Sequence, residues 1–284
     1  MDLQQFWRQY HAAQRHFCKV KLQQVEFYQA NLSGLDFSQS DLSKANLIWA
    51  DISGANLTGV NLRESVAIWV QGLWADLHRA DLRQADWSCA NLQAANLTAA
   101  NFTQAQLAGA DLSAVAGQEV CFEKANLWGV WAVGADLSGA HLGSVDLSGA
   151  NLTEAQLNEA DLSWSQLSRI IAERANLTSA CLEGCDLSAA NFKATCLSHA
   201  DLSATNWQNA CLQSANLQGA DLRGANLQEV DLKEANLTGA ILAGADLAGA
   251  DLAGATLAGT DLTDTILPKG YTRVSVIPWT LKMT

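Results

Sequence analysis

A large apolar residue recurs at five-residue spacing from Phe17 to Leu267, at 46 of 51 positions, and the register does not slip once across those 251 residues. The 51 centres comprise 37 Leu, 6 Phe, 2 Trp, 1 Ile and five small residues: Ala67, Gly72, Gly117, Ala132 and Ala172. Two positions before each centre, 31 of the 51 residues are Ala, and the residue between is mostly Asp or Asn, as in Ala220-Asp221-Leu222-Arg223-Gly224. A period of five suits neither regular element. On an α-helix, five steps of about 100° carry each centre roughly 140° round the axis, so no apolar stripe forms. On a flat strand an odd period sends alternate centres to opposite faces. Every centre stays inside if the chain turns a corner in each repeat. The Ala and Leu of a repeat then point inward from a short extended segment, and the other three residues face solvent. Asn, Asp, Ser, Thr and Gly suit the corners because they tolerate tight turns and bond nearby backbone. Successive coils would stack at about 4.8 Å and pair their backbone groups.

The pattern Ala-(Asp/Asn)-Leu-X-X resembles the pentapeptide-repeat family over 251 of 284 residues. The resemblance implies an all-β fold, a right-handed quadrilateral β-helix with four repeats per coil. It also implies about 13 coils and a rod on the order of 60 Å long. The sequence itself echoes a 20-residue coil: Ile48-Trp49 recurs as Ile68-Trp69, Phe17 is followed by Phe37, and Phe102 by Phe122. The organisation expected is an N-terminal helical cap over 1–16, the β-helix over 17–267, and a C-terminal cap or tail over 268–284. A solenoid needs such caps because its ends expose core and unpaired edges. Leu3, Phe6, Trp7 and Tyr10 fall on one side of the expected helix. The tail, from Pro268 to Ile277-Pro278-Trp279 and beyond, either lids the last coil or pairs with a second copy as a homodimer. Both readings stay open.

Composition narrows the function classes. No stretch approaches the roughly 20 apolar residues of a membrane helix, and the N-terminus lacks a signal peptide's apolar region. The expected location is cytoplasmic, where the seven cysteines, an odd number without a CxxC pair, stay reduced. A net charge of −12 excludes simple phosphate-backbone binding, so no direct contact with nucleic acid is expected. The five histidines are scattered without metal spacing. Cys181 and Cys185 fall in outward and inward slots and should point apart, so neither metal nor cofactor is expected. Seventeen of the 19 Asp occupy the outward slot of the repeat, which makes them scaffold rather than catalytic pairs. The chain reads as a non-enzyme.

What the repeat does not explain lies at its breaks. The small centres predict flattened or bulged coils. Near them, Ile48, Trp49, Ile68, Trp69 and Trp74 occupy outward positions, and Trp128 and Trp131 form a second group about three coils along. Either these rings turn inward to fill space left by Ala67, Gly72 and Ala132, or they form a partner-binding patch, since exposed aromatics mark interaction surfaces. Charge gathers at the other end. Residues 227–267 hold Glu229, Asp231, Glu234, Asp246, Asp251, Asp261 and Asp264 against a single base, Lys233. The expected function is a protein-interaction scaffold of unspecified partner, similar to cyanobacterial members of the family. The alternative is a DNA mimic that binds DNA gyrase or topoisomerase, as the resemblance to quinolone-resistance members implies.

Overall fold

The structure, a computed structural model, describes residues 1–271. Ile277-Pro278-Trp279 lie outside the described residues, and with them the expected C-terminal lid or pairing through the tail. The chain forms two compact units, Met1–Asp146 and a second that starts at Leu147.

The first unit opens with α1 (Leu3–His11), capped by the Asp2 carboxylate, which accepts from the Gln5 amide at 2.7 Å. Its apolar side closes the first coil. Phe6 is fully buried, with ring centroids 4.6 Å from Phe17, 5.0 Å from Phe27 and 5.8 Å from Phe37. Beyond the helix, the residue between Ala and Leu of each repeat forms a parallel bridge with its counterpart twenty positions on. These run from His16–Asp36 to Asn126–Asp146, and in the second unit from Asn151–Ile171 to Asp246–Ile266. At five residues per repeat, twenty make four sides, so each unit is a right-handed quadrilateral β-helix.

The backbone shows why the corner repeats. Leu42 donates to the Asn61 carbonyl at 2.8 Å, Asn61 donates back to Ser40 at 2.9 Å, and Lys44 donates to Arg63 at 2.8 Å. A bond from the Ala45 amide to the Leu42 carbonyl at 3.0 Å closes the turn. That turn holds the second residue after each centre in the left-handed region, as at Lys44 (φ 59°) and Ala94 (φ 54°). The conformation costs roughly 1–2 kcal/mol for a residue with a side chain, and the ladder on either side enforces it. The Asp or Asn of the repeat supports the same turn: Asp51 Oδ1 accepts from the Ser53 amide at 2.9 Å, and Asp81 Oδ1 from Arg83 at 3.3 Å.

The small centres do not flatten or bulge the coil. Every repeat from the one centred on Phe17 to the one centred on Leu262 keeps the same local conformation, and neighbours in the column fill the space. At Gly72 a β-carbon would sit 2.9 Å from Leu92 Cδ2, and at Gly117 2.9 Å from Leu137 Cδ2. Beside Ala67, one coil on, Trp87 is fully buried and its indole N–H donates to Ser65 Oγ at 3.1 Å. Trp207 does likewise with Thr205 Oγ1 at 2.8 Å. Among the described residues every buried side-chain nitrogen and oxygen has a partner.

Two outcomes test this account. Phe6→Ala removes the ring that lids three phenylalanines, and is expected to cost about 3–5 kcal/mol in denaturant unfolding, with increased dye binding at the exposed end. The second concerns pH. Hydrogen bonding from Arg223 holds the Asp221 carboxyl below its ordinary pKa. At Asp81 burial pulls upward, but the hydrogen bonds and charge of Arg83 outweigh it and the pKa is again lowered. A lowered native pKa contributes stability that is complete above the unfolded value and lost as pH falls through the native one. Urea midpoints are therefore expected to hold steady between about pH 7 and 5 and to fall below about pH 4. The fall should be smaller in an Asp81→Asn/Asp221→Asn variant, whose turn acceptors do not titrate.

Candidate functional site

Because residues twenty apart stack, every outward slot becomes a column. In the first unit, the face with centres Leu32, Ile52, Gly72, Leu92, Leu112 and Ala132 is the fourth in chain order. The corner leading into it carries Trp49 and Trp69 in one column, and Ile48, Ile68 and Trp128 in the adjoining one. Trp131 lies on the face itself, and Trp74 at the corner leaving it.

The five indoles are exposed, between 46% for Trp69 and 68% for Trp74, while Ile48 and Ile68 are half-buried beside them. None turns inward. Trp49 and Trp69 stack with centroids 5.5 Å apart and planes within 9°. Two shallow depressions flank the middle of the face. One, of about 320 Å³, runs from Trp69 past Cys89, Gly109 and Asp111 to Trp131. The other, of about 340 Å³, has Trp74 at its head and Gln93, Ala94, Ser113 and Ala114 below. The two groups of tryptophans thus frame one surface, because Trp131 closes the depression that Trp69 opens. Sequence reasoning had separated them.

A second asymmetry went unread. Between residues 17 and 146 the bases are Lys19, Lys21, Lys44, Arg63, Arg79, Arg83 and Lys124. Every one lies on the second face or its two flanking corners, opposite the tryptophans. Position modulo twenty was the signal that would have found this.

In the second unit, the acidic residues spread over three of the four faces. Asp231 and Asp251 share a column, with the Lys233 ammonium 3.4 and 3.0 Å from them. Glu229 lies over Gly249, Asp246 accepts from Gln228, and Glu234 accepts from Ser214 Oγ at 3.1 Å. Asp261 stands on another face and Asp264 at the corner leaving it. Cys185 is buried, donates to the Leu162 carbonyl at 3.0 Å and has its pKa pushed up to about 12 by burial; Cys181 is on the outer side. Among the described residues, no group of three His, Cys, Asp or Glu is placed to hold a metal ion, and no helix is long and apolar enough to cross a membrane.

The model of pentapeptide repeats matches eight segments, 17–66, 75–113, 121–155, 135–171, 155–193, 173–206, 195–233 and 231–267. The chain belongs to the pentapeptide-repeat family. Among solved structures it is similar to HetL, a pentapeptide-repeat protein involved in heterocyst differentiation regulation in the cyanobacterium Nostoc sp. strain PCC 7120. The two are 33% identical over 96% of this chain and 100% of HetL, with a TM-score of 0.35. It is similar also to Rfr23 of the cyanobacterium Cyanothece 51142, 31% identical over 48% of this chain and 90% of that one, with a TM-score of 0.29. QnrB1, a plasmid-mediated fluoroquinolone resistance protein, is 17% identical over 92% of this chain and 95% of its own, with a TM-score of 0.28. A comparison with curated proteins finds no match.

If the pentapeptide-repeat coil is complete without its outer indoles, Trp49→Ser/Trp69→Ser should leave the far-UV circular dichroism unchanged. The denaturation free energy should move by no more than about 0.5–1 kcal/mol. A loss of several kcal/mol would place these rings in the core.

Proposed function

We propose that this pentapeptide-repeat protein is a non-enzymatic interaction scaffold whose docking surface is the fourth face of its first unit. One observation carries the reading: five exposed tryptophans frame a single face from which every lysine and arginine of that β-helix is absent. Large exposed aromatics favour association, and tryptophan is enriched among the residues that dominate binding energy. The interior is filled with side chains, so recognition falls to what the faces present. The cysteines are unpaired thiols, which fits action in the reducing cytoplasm. The gyrase-binding alternative is not adopted. Likeness to QnrB1 at 17% identity speaks to the fold alone, and the acidic residues that motivated it lie on three different faces.

The test is retention of proteins from a lysate of the source organism on the immobilised chain, on Trp49→Ser/Trp69→Ser, and on Arg83→Ser from the opposite side. The expected result is a protein held by the parent chain and by Arg83→Ser but lost from the tryptophan variant. Identical retention by all three removes the fourth face as the docking surface.

A further inference from the structure

The docking reading leaves the partner's chemistry open, and the depression below Trp69 narrows it. Trp49 and Trp69 begin a stack along one corner column, and the next members of that column are Cys89 and Gly109. The stack therefore stops where small residues take over. The Cys89 sulfur lies 3.5 Å from where a β-carbon would stand at Gly109, one coil on. Below Trp69 the depression continues to Trp131, three coils along, a span of about 14 Å. Its side wall is the column Gln71, Asn91 and Asp111. Gln71 and Asn91 bond to each other at 3.2 Å, and Asp111 accepts from the Ser113 amide at 2.9 Å and from Gln93. The carboxylate is thus held in place with lone pairs to spare, since it offers about four acceptor sites.

We infer that this depression binds the guanidinium of an arginine side chain on a partner protein, stacked on the free side of Trp69 and paired with Asp111. The inference rests on the reading of the fourth face as a docking surface. Three features select this chemistry. The vacancy continues an indole stack, which suits a flat group. Of the columns that make up the face and its two corners, Asp51 and Asp111 are the charged members, so the ligand is cationic rather than anionic. Arginine alone among side chains combines a permanent positive charge, a planar head and a donor fork that matches a carboxylate, whereas lysine brings only a point charge. Tryptophan is also the best aromatic partner for such a cation.

The probes are capped hexa-arginine, hexa-lysine and deca-proline peptides, titrated against the full chain and followed by indole N–H chemical shifts and intrinsic fluorescence. Hexa-arginine is expected to bind at least about tenfold more tightly than hexa-lysine, with deca-proline inert. Trp69→Ala and Asp111→Asn should each weaken it by about tenfold or more, and Arg83→Ala on the opposite side should not. Cys89→Trp supplies a second route. Tryptophan already occupies this corner position at 49 and 69, so the variant should fold, extend the stack and occlude the slot, abolishing arginine binding with circular dichroism unchanged. Equal affinity for the arginine and lysine peptides, or binding indifferent to both Trp69→Ala and Cys89→Trp, overturns the inference. Preference for deca-proline does so too, and assigns the face to proline-rich segments instead. If arginine peptides fail while the lysate partner still depends on Trp49 and Trp69, the docking surface stands and only the guanidinium assignment falls. If arginine binds at this slot while lysate retention ignores the tryptophans, the docking reading fails and the guanidinium slot stands.

Discussion

In a typical repeat three backbone amides donate to residues 19 or 21 positions away in neighbouring coils, and these bonds leave little freedom of register. Asn61 donates to Ser40 and accepts from Leu42, and so bridges Asp41 on one side as it bridges Asp81 on the other. A shift of one residue would bring the apolar centres to the outside along the whole coil, so the ladder and the core fix each other. The left-handed corners follow from the same constraint. Trp49, Trp69 and Trp74 have φ of 60°, 61° and 55°, yet so does nearly every residue in that slot. Their conformation is a property of the coil and carries no functional signal.

Column stacking also sets the chemistry of the surface. Asn91 reaches Gln71, Asn226 reaches Asn206 and Asn236 reaches Asn216 at 3.0–3.2 Å, so polar side chains satisfy one another along the column. The backbone groups on the sides of the prism are already paired between coils, which leaves no open edge there for a partner strand to join. Recognition by a face must therefore come from side chains. A column of Asn, Asp, Ser and Gly offers little area for that, and the tryptophans of the fourth face are the first unit's largest departure from it.

The fold was legible because its signal is strictly periodic: leucines at five-residue spacing define the inside, and Phe6 with Tyr10 reveals a lidding helix. What escaped were relations between coils. The alanine and glycine centres suggested damaged coils, but Trp87 sits one coil beyond Ala67, and Leu92 one coil beyond Gly72, to occupy the missing volume. Read in line, the bases from Lys19 to Lys124 look scattered; folded on a twenty-residue circumference they fall on one side. Trp69 and Trp131 are 62 positions apart in the chain yet line one depression, for the same reason. The acidic run near residue 250 shows the converse. Neighbours in sequence there are turned onto different faces, and Lys233 stands between two of its members.

An exposed ring on such a prism has two ways to sit, and the residue one coil on decides between them. Trp164, in the second unit, is 60% exposed, but its successor is Gly184, and a β-carbon there would lie 2.5 Å from the ring. The indole covers the bare corner that this glycine leaves. Trp69 is followed by Cys89 and Trp74 by Ala94, both with a β-carbon in the place that Gly184 leaves empty. Trp49 is stacked against Trp69. Exposure alone would rank Trp164 with the others. The difference lies in the successor residue, a glycine after Trp164 and a residue with a β-carbon after Trp69 and Trp74.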